Sequence, residues 1–266
     1  MPHVFITGAA GGLGRHLVGV WTRRGWRITA TDLDATWLGV IARQDGWGRE
    51  VRTAALDVVD AAAWERVWSE SEAELGQVDI VVNNAGFLAP DWVIATTVAD
   101  VDRHVDVNVK GVIHGSRVAA RHMSARRGGH IVNIGSLASL APVPGLSLYA
   151  ASKFAVRGFT LSLAAEMQEH GVAVSLVMPD AIATPMLDVQ KSRAEAELTF
   201  SGSRVLTPAD VAVALDEVFA RKPVELSVPP ERGALAKVAA LAPGLGFRLA
   251  PWLRRLGRKG QERYRG

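Results

Sequence analysis

Tyr149 and Lys153 stand four residues apart in a stretch that predicts a helix over residues 148–170. On a helix, that spacing puts both side chains on one face. An isolated phenol titrates near pH 10, too high for useful proton transfer around neutrality. An ammonium roughly 4 Å away contributes about 4 kcal/mol at an effective dielectric of about 20. That is about three pKa units in the direction of the phenolate, so the lysine is expected to make the tyrosine a usable base.

A second chemical signal lies at the start of the chain, in Thr7-Gly8-Ala9-Ala10-Gly11-Gly12-Leu13-Gly14. It falls between an apolar run and an apolar helical stretch. Gly8 permits a tight turn, Gly12 lets backbone approach a pyrophosphate, and Gly14 lets the helix pack closely on the strand. A phosphate there would sit at a helix N-terminus, where amide groups and the helix dipole favour an anion. Other chemistry is poorly represented. With no cysteine there is no disulfide, thiolate or cysteine–zinc site, and a reducing compartment is consistent. The seven histidines form no H-E-x-x-H or other ligand pair, so no metal is expected. No G-x-S-x-G elbow supports an esterase.

The elements that must position these residues alternate regularly. Residues 3–6, 26–31, 51–56, 78–82, 130–134 and 172–177 read as short apolar strands, and 60–75, 101–127 and 148–170 as helices. Repeated βαβ units imply an α/β fold with a doubly wound parallel sheet, helices on both faces, and ligands beyond the carboxyl ends of the strands. One domain is expected over residues 1–230, with 183–206 as a polar excursion from the sheet. Pro229-Pro230, Pro243 and Pro251 punctuate an extension over 231–266. That extension holds nine basic and two acidic residues against an overall charge of +3, so the body is acidic. Its apolar residues, interleaved with arginines, suit a lid, a subunit contact or an interfacial segment on an anionic membrane. The acidic body and the lack of a reading motif argue against nucleic acid. No secretion signal or spanning segment is recognised, and a cytoplasmic protein, with peripheral membrane contact through 231–266 as a further option, is expected.

More motifs follow in order. Asn83-Asn84-Ala85-Gly86 comes after the fourth strand, Asn108 lies in Asp106-Val107-Asn108-Val109-Lys110-Gly111, Ser136 follows the fifth strand, and Tyr149-x-x-x-Lys153 opens a helix. Together with the T-G-x-x-x-G-x-G turn, this set resembles the short-chain dehydrogenase/reductase family, in its main single-domain Rossmann-like branch, over roughly residues 3–228. The resemblance implies an oxidoreductase in which a nicotinamide dinucleotide moves a hydride while Tyr149 moves a proton. Ser136, thirteen residues before Tyr149, would hold the substrate oxygen, with Ser139 as a nearby rival. Asn108 would hold a water relaying protons to Lys153, and Lys153 would also hold the nicotinamide ribose. Cofactor contacts are implied for Gly8, Gly12, Leu13, Gly14, Asp32, Leu33, Asp57, Val58, Asn84, Ala85, Gly86, Tyr149, Lys153, Pro179, Ile182 and Thr184. The family's usual Pro-Gly after the sixth strand is here Pro179-Asp180.

Asp32 bears on which dinucleotide. An acid at the end of the second strand accepts hydrogen bonds from the adenosine ribose and repels a 2′-phosphate. The positions that are basic in NADP-preferring relatives are Leu33 and Gly11, so NAD is predicted. The segments that form substrate pockets in the family contain Phe87, Leu88, Pro90 and Trp92; Leu137, Leu140, Val143, Pro144 and Leu146; and Met186 and Leu187. That set is apolar, without an arginine clamp. It suggests a hydrophobic secondary alcohol or its ketone, of steroid, terpenoid or lipid kind, with Phe87, Leu137, Val143 and Met186 as the chosen pocket residues. The alternatives are a 3-oxoacyl-type reductase and a non-catalytic dinucleotide sensor. The resemblance further implies a homodimer or homotetramer assembled through the helices of residues 101–127 and 148–170.

Overall fold

The computed structural model describes residues 1–241 and 243–264. Seven parallel strands form one sheet in the order β3-β2-β1-β4-β5-β6-β7. They are β1 (His3–Thr7), β2 (Arg27–Asp32), β3 (Val51–Ala55), β4 (Ile80–Asn83), β5 (His130–Ile134), β6 (Ala173–Pro179) and β7 (Glu225–Val228). β1, β4 and β5 are buried at every residue, as expected of strands covered on both faces. The strand order reverses between β1 and β4, which opens a crevice beyond their carboxyl ends.

The strand ends differ from expectation by one or two residues, and two of these shifts matter. β2 runs to Asp32, whose Cα pairs with Ala55, so the acid is held by the sheet itself. β6 runs on to Pro179, which carries the following loop to the crevice. β7 was not foreseen. It is a four-residue edge strand, mostly half-buried, and its pattern is too short to register in sequence.

Helices cover both faces. α1 (Gly12–Arg23), α2 (Ala35–Gln44) and α8 (Pro208–Arg221) lie on one side, where Leu17, Trp21, Leu38 and Leu215 pack with Val4 and Ile6. α3 (Ala61–Leu75), α5 (Gly111–Ala125) and α6 (Ser147–Gln168) lie on the other, where Phe5 stacks on Trp64 and Trp68 at 5.4 and 5.6 Å between ring centroids. Successive β1 residues thus feed opposite cores.

The helix expected over 101–127 is broken. α4 (Val98–Val105) begins at a capping box between Thr97 and Asp100, and a π-turn at Asp106–Lys110 intervenes before α5. Such turns commonly insert one extra residue at functional sites. Here the turn sets Asn108 fully inside the protein. Gly115, one turn into α5, packs directly against Trp64 and Asn83.

The 183–206 excursion contains α7 (Pro185–Asp188) and a 3₁₀ segment, Ala194–Phe200. The extension forms α9 (Pro230–Leu241) and α10 (Pro243–Glu262). Pro230 and Pro243 start helices, a favoured place for proline. Pro251, expected as a break, lies inside α10. The turns after it are held by tertiary contact, which offsets a local cost of about 3 kcal/mol. Gly257 and Gly260 admit the carbonyls of Glu197 and Phe200, where any Cβ would overlap them. Arg254 and Arg258 both bond the buried Glu197, at 3.2 and 2.9 Å. Gln261 donates to the Gln190 and Arg193 carbonyls at 2.8 Å each.

Candidate active site

The loop leaving β5 places Ser136. Its hydroxyl accepts from the Ala138 N–H at 3.1 Å, capping the short turn Leu137–Ser139, and it lies beside the Tyr149 phenol closely enough to lower its pKa. The rival Ser139 is fully buried and points inward, accepting from the Ser136 N–H at 3.3 Å. Ser136, not Ser139, lines the crevice.

Tyr149 sits half-buried in the first turn of α6, and Lys153 lies one turn on, buried beneath it. The Lys153 ammonium is 5.6 Å from the Tyr149 ring centroid and donates to the Ile134 carbonyl at 2.9 Å. The expected pull of the phenol toward the phenolate is overturned. Burial pushes Tyr149 up to about 12, only partly offset by the Ser136 hydroxyl, and pushes Lys153 down to about 8. Desolvation disfavours each charged form. The protein therefore presents Tyr149 as a protonated phenol above a weakened ammonium.

Asn108 braces this floor. Its Oδ1 accepts from the Phe87 N–H at 2.7 Å, and its Nδ2 donates to the Phe87 carbonyl at 2.9 Å and to Ser152 Oγ at 3.0 Å. The Asn108 side chain is thus committed to backbone and Ser152. It ties the loop after β4 to α6, one residue before Lys153.

At the other end, Gly8 turns with φ +67°, and Gly14 packs so closely on the Gly8 carbonyl that a Cβ would overlap it. Asn84 clamps this turn, its Nδ2 donating to the Thr7 and Gly8 carbonyls at 2.9 and 3.2 Å. Thr7 Oγ1 accepts from the Asn84 and Ala85 amides. Asp32 accepts from the Ala10 and Leu33 amides at 2.8 Å each. Thr184 and Pro185 pack against Gly12. The first turn of α1 has no side-chain cap and no acidic residue, so its amides face the crevice open to an anion. This donor set fits the pyrophosphate of a dinucleotide.

All sixteen expected cofactor residues, together with Ser136, Phe87, Leu137, Val143 and Met186, line one continuous cavity of about 750 Å³. Pro90, Trp92, Leu140 and Pro144 do not line it. Leu140 is core, and Trp92 lies under the Arg254 guanidinium, 5.0 Å from its ring centroid. Other lining residues escaped the sequence. Arg103 of α4 lies 4.0 Å over the Phe87 ring, and Arg232 of α9 bonds Asp180 Oδ2 at 2.9 Å. The crevice wall thus contains two arginines that the apolar motif segments did not suggest. Leu235, Ala236 and Ala239 of α9 and Leu253 of α10 complete it. Only the Pro179-Asp180 departure hinted at a partner from outside the motif set. Among the described residues no cluster suited to a metal ion occurs.

The family model for short chain dehydrogenases matches residues 2–195. The Mycobacterium tuberculosis protein named "Probable oxidoreductase EphD" is 34% identical over 255 residues, which cover 90% of this chain and 43% of EphD. The chain therefore spans less than half the length of that relative. The Salmonella typhi protein named NADP-dependent 3-hydroxy acid dehydrogenase YdfG is 31% identical over 216 residues, 80% of this chain and 86% of its own. The structure of a short chain dehydrogenase/reductase from Burkholderia phymatum in complex with NAD superposes with a TM-score of 0.82 at 27% identity, covering 92% of this chain and 95% of that one. A nicotinamide dinucleotide, in one form or the other, is common to the last two.

Proposed function

The chain belongs to the short-chain dehydrogenase family, and we propose that it interconverts a hydrophobic secondary alcohol and its ketone with NAD(H). The observation that carries this reading is one cavity joining the glycine turn to Ser136 and Tyr149, with Lys153 buried beneath the phenol. When bound, the dinucleotide supplies or accepts the hydride at the carbon that bears the reacting oxygen. Ser136 holds that oxygen beside the Tyr149 hydroxyl. In reduction Tyr149 gives its proton to the oxygen, and in oxidation it takes the proton back. The raised phenol suits the first direction as it stands.

Three observations support NAD over NADP. Asp32 retains lone pairs beyond its two amide donors, enough to accept from a ribose diol. Its charge opposes a 2′-phosphate. The basic side chain that follows the glycine turn, Arg15, is held by Asp45 in a 2.5 Å pair. The apolar lining of Phe87, Leu137, Val143, Met186, Leu235 and Leu253 supports a hydrophobic substrate.

The test is initial-rate NADH and NADPH formation across steroid, terpenoid, aliphatic and polyol alcohols, with wild type and Tyr149→Phe. We expect turnover of an apolar alcohol with NAD at least tenfold more efficient than with NADP, and its loss in Tyr149→Phe by a factor of about 10² or more. Equal efficiency with NADP would overturn the cofactor assignment, and a polyol as best substrate would overturn the substrate class. Dinucleotide binding without turnover of any alcohol or ketone would favour a sensor.

A further inference from the structure

The extension carries a surface that the catalytic reading does not use. One face of α10 is committed to the Ala194–Phe200 segment through Arg254, Gly257, Arg258, Gly260 and Gln261. The opposite face is exposed. It carries Leu249, Trp252 and Leu256, spaced i, i+3, i+7, with 46%, 59% and 40% of their surfaces open. Beside them runs a second stripe, Arg248, Arg255 and Lys259, spaced i, i+7, i+11 and exposed. Among the described residues these three form no ion pair, whereas Arg232, Arg254 and Arg258 are paired inward. α9 adds Leu235, Val238 and Leu241, each more than 60% exposed, at spacings of three.

We propose that this face of α10 and α9 binds the surface of an anionic lipid bilayer. An apolar stripe flanked by cations on one helix is the pattern of a segment lying in the interface plane, with tryptophan and leucine in the acyl boundary and arginine at the headgroups. The charge is complementary, since the extension is strongly basic while the rest of the chain is acidic. No helix among the described residues is long and apolar enough to cross a membrane, so the helices lie on the bilayer. Leu235 and Leu253 of the same helices also line the catalytic cavity. On the hydrophobic-substrate reading, the bilayer would therefore meet the wall through which such a substrate enters.

The test is co-sedimentation of the full chain with vesicles of phosphatidylglycerol and phosphatidylcholine, and with vesicles of phosphatidylcholine alone. Two triple variants are compared, Arg248→Gln/Arg255→Gln/Lys259→Gln and Leu249→Gln/Trp252→Gln/Leu256→Gln. Dinucleotide binding, read by thermal shift, serves as the control for folding and is expected to stay unchanged in both. Wild type is expected to bind the anionic vesicles, and more weakly as salt rises. At about fivefold per cation near a charged surface, the charge variant should bind roughly a hundredfold more weakly, and the apolar variant should lose most binding. Wild type left in the supernatant, or equal binding by wild type and both variants, overturns the proposal. So does a fall in mass on light scattering in the apolar variant without vesicle binding by wild type, because the face is then a contact between copies. Because the readout needs no alcohol or ketone, its failure is distinguishable from failure of the catalytic reading.

Discussion

At the residue scale, the active site is governed by desolvation. Tyr149 is held at about 12 and Lys153 at about 8, each moved away from its charged form. For Lys153 the unfolded value is about 10.4. Between pH 8 and about 10.4 the unfolded chain holds this proton more often than the folded one, so stability from this group rises with pH. Below pH 8 the full penalty of the buried ammonium stands, and above about 10.4 it is gone. Tyr149 runs the other way, because its folded value exceeds the unfolded one and its contribution is lost as pH rises through 10 to 12. Denaturant titration at pH 7 and pH 9.5 should therefore show wild type gaining stability relative to Lys153→Met by about 1–2 kcal/mol at the higher pH. A constant difference between the two proteins would mean that Lys153 is not desolvated as described.

At the element scale, the site depends on close approaches between segments far apart in sequence. Gly14 packs α1 onto the Gly8 carbonyl, and overpacking of this kind costs typically about 1–3 kcal/mol. Gly14→Ala is expected to lower the melting temperature and to weaken dinucleotide binding tenfold or more, by calorimetry. Unchanged binding would show that the turn tolerates a methyl group there. The Asn108 brace is an element-level device too, since a π-turn aims its amide at Phe87. The motif around Asn108 was readable, yet the π-turn was not, because α4 is only eight residues long and too short for its apolar phase to be compared with that of α5. α10 is anchored in a similar way. Gly257→Ala is expected to lift it from the Glu197 carbonyl, raising proteolytic cleavage of the extension while dinucleotide binding persists. Cleavage at the wild-type rate would mean that this contact does not hold the helix.

At the scale of the whole molecule, exposed apolar side chains are unevenly placed. Val101 and Val105 on α4 and Phe154 on α6 are exposed on the helices expected to join subunits. We propose that they meet a second copy. Light scattering should give a dimer or tetramer, and Phe154→Arg should shift it to lower mass, whereas a wild-type monomer would remove the proposal.

The sequence by itself determined the parallel sheet, in six of its seven strands, and which motif residues meet in the crevice. Strand runs buried on both faces, a glycine turn at the first βα junction and a Tyr–Lys pair at helical spacing are local patterns, and local patterns survive in one dimension. Tertiary structure decided what depends on which segments meet. It set the direction of the Tyr149 shift, because burial outweighs the Ser136 hydroxyl, while the Lys153 ammonium is turned to the Ile134 carbonyl. It brought Arg232 to Asp180, fifty-two residues away, and Arg254 and Arg258 to Glu197. It also turned an extension that composition left open between lid, subunit contact and membrane segment into two helices, one face docked on the Ala194–Phe200 segment and the other bare. Sequence spacing could place the two stripes of α10, but only the docked contacts show which side is left outward.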